Sequence, residues 1–510
     1  MSTRRHFLKT ATGIGISSCA MSPLACTPSS NVAADEPHVG SDVVQLDKNL
    51  EPIVRLIERT PRDKCFEVIG DALQRGLPYR QFVAALFLAG IRNVNPQPPG
   101  FKFHCVFVIH AAHQMSLDLP SSQRLLPLFW ALDNFKASQQ RDIEEGDFQL
   151  SPVRGKLPSF ATALGEFDEA METWDEERAD RAIVALARGA SSHQLMERLW
   201  QYGARDYRNI GHKAIFVANT WRTLQTIGWQ HAEPVLRSLV LGLLDFGRDK
   251  RVNHYAFTDQ SFLANLELTR QNDVSLGQGV PIDSTSHFSE DLLDVMRSGN
   301  SPDATQMAYR ALQTNSVHAS LVWDAIHLAA AELMMRQPGI YGIHTVTSAS
   351  ALRYAYETAF DPKTRLLTLL QGIGWMCQFR NFMKTKPDGL RSLRITDVFA
   401  DSDSSNQTST VNDIYACVGQ DQQAAAAHAF NHAQKTTSPT DFWRQARDLI
   451  VRKGTDAHDY KYAISMFEDC RRVNQRWHPH MLAVATYHLR GTAHADSPLM
   501  QRAAEVVSSL

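Results

Sequence analysis

The sequence predicts an all-α protein, built as one large multi-helical domain of stacked antiparallel helices or a toroid. Apolar residues recur at three- and four-residue steps along almost every ordered stretch, the period of a helix with one buried face. Ala- and Leu-rich runs dominate, with few of the β-branched alternations that mark strands. Pro and Gly fall between many of the periodic segments, as helix breakers do.

Taken in order, the periodic segments include Leu195 to Trp200, Val235 to Leu244, Asp291 to Met296, Leu328 to Met335 and Ala424 to His432. The run DSDSSNQTST (401–410) is polar and low in complexity and reads as a loop. Of the 510 residues 44% are hydrophobic and 21% charged, which suffices for a large core. The formal net charge of −2 gives no basic face for nucleic acid. Seven cysteines form no CxxC pair, which argues against zinc knuckles and covalent haem attachment. Neither a phosphate-binding glycine loop nor a nucleophile elbow is present.

The N-terminus carries an address. Ser2 to Lys9 reads STRRHFLK, with Arg4 and Arg5 ahead of Phe7 and Leu8, and an apolar stretch follows to Ala20. This matches a twin-arginine signal and makes the twin-arginine translocase an expected partner during export. Proteins on that route fold before crossing the membrane, often around a cofactor. Residues 1–26 are therefore read as the signal, 27–47 as a flexible tether and 48–510 as the all-α domain. Cys19, after Ile16-Ser17-Ser18, is a candidate lipidation site, so the mature protein is either lipid-anchored or free in the periplasm.

Chemistry is sought among the twenty histidines. His104, His212 and His344 sit in apolar helical segments, and a buried imidazole needs a partner or a metal. The segments around His104 and His318 look alike, as do those around His212 and His344, which suggests an old duplication or merely shared helix patterning. His458 and Lys461 are three apart and point to one side of a helix. A Lys facing a core must lose its charge. Reaction of the neutral amine with carbon dioxide would make it an anionic metal ligand. The plainer alternative is a surface Lys461 paired with Asp459 or Glu468. His428 with His432, and His110-x-x-His113 with Asp324-x-x-His327, are reserve candidates for a metal.

Together the stretches FHCVFVIHAAH (103–113), GHKAIF (211–216), IHTVTSASAL (343–352) and AHDYKYA (457–463) resemble the questin oxidase-like family over roughly residues 60–490. That resemblance implies an all-α non-haem iron oxygenase acting on aromatic or polycyclic substrates. Carried onto this chain, it implies His104, His212, His344 and His458 as ligands to Fe(II) or another divalent metal. It further implies Lys461 as an N6-carboxylysine, with His318 a further ligand or a group behind the ligands. Dioxygen and a small aromatic molecule are then the expected partners, and Trp221, Trp323, Tyr341 and Trp375 candidate pocket walls. Export distances the chain from cytoplasmic NADPH, which favours a dioxygenase over a Baeyer–Villiger monooxygenase. The rival expectation is a non-catalytic helical binding or scaffold lipoprotein, whose histidines would scatter.

Overall fold

A computed structural model describes residues 42–205, 207–245, 259–271, 274, 276, 287–397, 409–436 and 438–510. The signal, Cys19, most of the tether and most of the 401–410 run lie outside these residues. Twenty-two α-helices and six short 3₁₀ turns make up the secondary structure, and no strand occurs among the described residues. No described helix is long and apolar enough to cross a membrane. The periodic segments named above fall on helices, for instance Ser192–Ala204 and Ala232–Leu243, the latter with Leu244 as its C-cap.

Four helices form the centre: His104–Leu117, His212–Ile227, Ile340–Thr358 and Ala457–Arg472. Each packs against two of the others, closing a ring. The first and third of them are buried over nearly their whole surface, so the segments read as apolar all round rather than amphipathic. Outer helices cover the ring. Ala319–Arg336 and Pro362–Lys384 flank Ile340–Thr358 through three-residue connections, as helical hairpins. Tyr79–Asn93 and Leu126–Glu145 pack against His104–Leu117 through longer connections.

The four central helices run in the same direction. Their N-terminal portions meet at one point through His104, His212, His344 and His458. Residues two turns later (Ala111, Asn219, Ala351 and Ser465) meet again around one small cavity. Helices that touch at both levels must be parallel, since a helix rises 1.5 Å per residue and two turns span about 10 Å. Neighbours in such a bundle cannot be joined by short loops, and more than ninety residues of sequence separate each from the next.

Ionic locks secure the periphery. Arg92, 1% exposed, is held by Glu51 at 2.7 Å and Glu58 at 2.7 Å, which ties helix Glu51–Arg59 to Tyr79–Asn93. Removing one partner of such a buried pair costs about 3–5 kcal/mol.

Candidate metal centre

Each central helix begins on a device that aims an imidazole inward. His104 opens its helix, and its Nδ1 lies 2.7 Å from the carbonyl of Phe101, a residue with φ of 47°. His212 opens the next, with Nδ1 2.6 Å from the carbonyl of Asn209. Asn209, Ile210 and Gly211 all have positive φ (56°, 49° and 83°). For a β-branched residue such as Ile210 this is a strained conformation, of a kind that collects at functional sites. His344 lies one turn into its helix, with Nδ1 2.6 Å from the carbonyl of Ile340. His458 is held by the side chain of Asp456, whose Oδ1 accepts from both the backbone N–H and the ring Nδ1 of His458. The same Asp456 caps the helix.

Carbonyl oxygens only accept, so Nδ1 carries the proton in His104, His212 and His344, and each Nε2 presents a lone pair. Those lone pairs are aimed at one another. Nε2 of His212 lies 3.1 Å from that of His104 and 2.9 Å from that of His344. No proton is left to bridge either contact, so the arrangement is repulsive unless a cation sits between. Metal–nitrogen bonds of about 2.0–2.2 Å put adjacent ligand atoms about 3 Å apart, which these separations match. The ring of His458 lies 4.6 Å from His104 and 5.2 Å from His344, and its Nε2 is buried without a partner. Donor hydrogen bonds on the far nitrogen are the usual support of a metal-bound imidazole.

Electrostatics favour the neutral, ligating form. Burial holds His104, His212 and His344 well below the ordinary imidazole range, and the nearby Lys461 pushes them further the same way. Burial also lowers His458. Four helix N-termini converge here, and their dipoles oppose protonation of the rings.

Lys461 is 4% exposed, and its Nζ has no hydrogen-bond partner. Burial brings its pKa down to about 7, so a neutral amine is accessible. The surface alternative fails because both candidate carboxylates are taken. Asp459 is bound by Arg490 at 2.6 Å, and Glu468 by Arg222 at 2.6 Å and Arg472 at 3.2 Å. Nζ lies 5.5 Å from the ring of Phe107, which itself stacks on His212. Lys461 thus occupies the layer directly beneath the histidines, and His104, His212 and His344 form a group that could hold a metal ion.

His318 is not among these histidines. It is the N-cap of Ala319–Arg336, with Nδ1 3.2 Å from the Ser320 N–H and 2.8 Å from its hydroxyl. Sequence likeness to His104 fails at this position because His318 precedes its helix, whereas His104 stands inside the first turn. His428 and His432 both turn to Ser409, at 2.9 and 3.1 Å. His327 faces Asp469 at 3.4 Å, and His113 meets the Tyr79 hydroxyl at 2.9 Å. Trp221, Trp323, Tyr341 and Trp375 pack against Trp229, Tyr356, Phe382 and Tyr207 respectively. They do not line the small cavity below Lys461. A larger groove of about 450 Å³, walled by Phe160, Leu164, Phe167 and Phe360, involves none of the histidines.

Sequence reading overlooked Asp456 and the carbonyls of Phe101, Asn209 and Ile340. Asp456 was visible as the first acid of a D-x-x-D capping pattern two residues before His458. The carbonyls leave no sequence signal. Searched against family models, curated proteins and solved structures, the chain matches none of them.

Proposed function

We propose that this protein is a metal-dependent, iron-using oxygenase acting on an aromatic or polycyclic substrate, similar to questin oxidase-like enzymes. The observation that carries the reading is the convergence of three Nε2 lone pairs, drawn from helices more than a hundred residues apart, on one buried point. His104, His212, His344 and His458 would hold the ion. Fe(II), when bound, supplies the one-electron chemistry that makes dioxygen reactive toward an aromatic ring.

The chain's own groups prepare that chemistry. Backbone carbonyls and Asp456 fix the tautomer and the aim of each ring. Apolar helix faces around the centre exclude water and keep the imidazoles unprotonated. Lys461 supplies a neutral amine whose lone pair adds to the carbon of carbon dioxide with release of one proton, giving a carbamate oxygen beside the four rings. An anionic ligand is favoured here, because neutral imidazoles and four helix N-termini leave a divalent charge uncompensated.

The test is metal analysis of protein exported in folded form, with oxygen uptake measured against a panel of polycyclic phenols. About one iron per chain, lost in His212→Ala and His344→Ala, supports the reading. A folded, metal-free protein with no oxygen uptake favours the binding or scaffold role instead.

A further inference from the structure

Below the histidines the four parallel helices enclose a second feature. Positions three residues on from His212, His344 and His458 are Ile215, Thr347 and Lys461, and all three line a cavity of about 20 Å³. Ala111, Asn219, Ala351 and Ser465, seven residues on from the histidines, complete its walls. His110 also faces it; both ring nitrogens are buried and unpartnered, and the residue is 7% exposed. At the outer end Arg222 borders the cavity and is tied to Glu468 at 2.6 Å and stacked on Tyr354 at 3.9 Å. Glu468 is 22% exposed at its side chain, so this pair stands between the cavity and solvent.

We propose that this cavity is the entry chamber through which a small neutral molecule of dioxygen size reaches the metal centre, with the Arg222–Glu468 pair as its outer door. The inference rests on the metal reading above. The volume fits the ligand class: a chamber needs about 10–15 Å³ to hold one water-sized molecule, and this one has room for little more. A polycyclic substrate cannot enter. An anionic ligand finds no free counter-charge at the outer end, because Arg222 is already paired with Glu468. His110 offers the occupant one hydrogen bond, and Ile215, Ala111 and Ala351 offer apolar contact.

The experiment is stopped-flow binding of nitric oxide to the anaerobic Fe(II)-loaded protein. Ala351→Phe fills the chamber and leaves every ligand in place. A route affects entry and exit alike, so on- and off-rates both fall by about tenfold or more while Kd stays constant. Glu468→Ala unlatches the door and raises both rates, and it carries the test in the opposite direction if the larger side chain prevents folding. Unchanged rates in both variants overturn the proposal, and so does a change in Kd at an unchanged on-rate. Iron analysis of the same preparations separates two failures: absence of iron removes the metal reading and the route with it, whereas full iron with unaltered rates removes the route alone.

Discussion

Replacing Lys461 by methionine should stabilise the metal-free protein. The amine is fully enclosed, lacks a hydrogen-bond partner and has a pKa brought down by burial from 10.5 to about 7. At pH 7.5 the unfolded chain carries this lysine charged and the folded chain carries it mostly neutral. Folding must therefore strip a proton from a group about three pH units below its ordinary pKa, a cost of about 4 kcal/mol. Methionine has nearly the same shape and carries no charge, and such volume-conserving swaps cost less than about 1.5 kcal/mol in packing. The net expectation is a gain of about 2–4 kcal/mol for Lys461→Met at pH 7.5.

The sign with pH follows from the same numbers. Between about 7 and 10.5 the unfolded state binds more protons, so wild-type stability rises with pH across that window. The penalty is complete below pH 7 and gone above 10.5, so the advantage of the methionine variant should shrink steadily over that range. Urea unfolding of chelator-treated protein in buffer freed of carbon dioxide, at several pH values, reads both effects. Equal or lower stability of Lys461→Met at pH 7.5, or a gap that ignores pH, would refute the buried neutral amine.

Other expectations concern the supports of the site. Asp456→Asn should weaken metal binding by about 10–100-fold, measured by chelator competition, because the acceptor that orients His458 loses its charge. Gly100→Ala should also lower metal occupancy. Gly100 has φ of 124°, where an L side chain is strained, and a Cβ there would come within 3.1 Å of the His212 ring, which would have to shift by a few tenths of an ångström. Asp324 tests burial away from the histidines, since its pKa is pushed up to about 6 by its apolar surroundings. Wild-type stability should therefore fall by up to about 3 kcal/mol as pH rises from about 4 through 6. Asp324→Asn keeps an oxygen for the Asn474 N–H and should flatten that slope in thermal melts.

The helices were legible because local chemistry dictates them. Runs such as AAAAHAFNHAQ have no alternative that satisfies both apolar spacing and backbone hydrogen bonding, and Pro or Gly marks their ends. His104, His212, His344 and His458 were identifiable as unusual through their apolar neighbours and the family resemblance. Their meeting was not legible, because nothing within a helix encodes which other helix it will touch. Lys461 shows the limit most sharply. Its sequence neighbours Asp459 and Glu468 offered a plain surface pairing, and only long-range contacts with Arg490, Arg222 and Arg472 withdraw both carboxylates from it.

The sequence by itself determined the secondary structure, the all-α class and the short list of imidazoles worth asking about, since each depends on interactions within a few residues. Tertiary structure alone decided that four helices run parallel, that their N-terminal portions gather the rings, and that His318 stays outside. Those outcomes depend on which apolar faces pack together across separations of more than a hundred residues. Hydrophobic burial is non-directional, so only the complete set of contacts selects one arrangement.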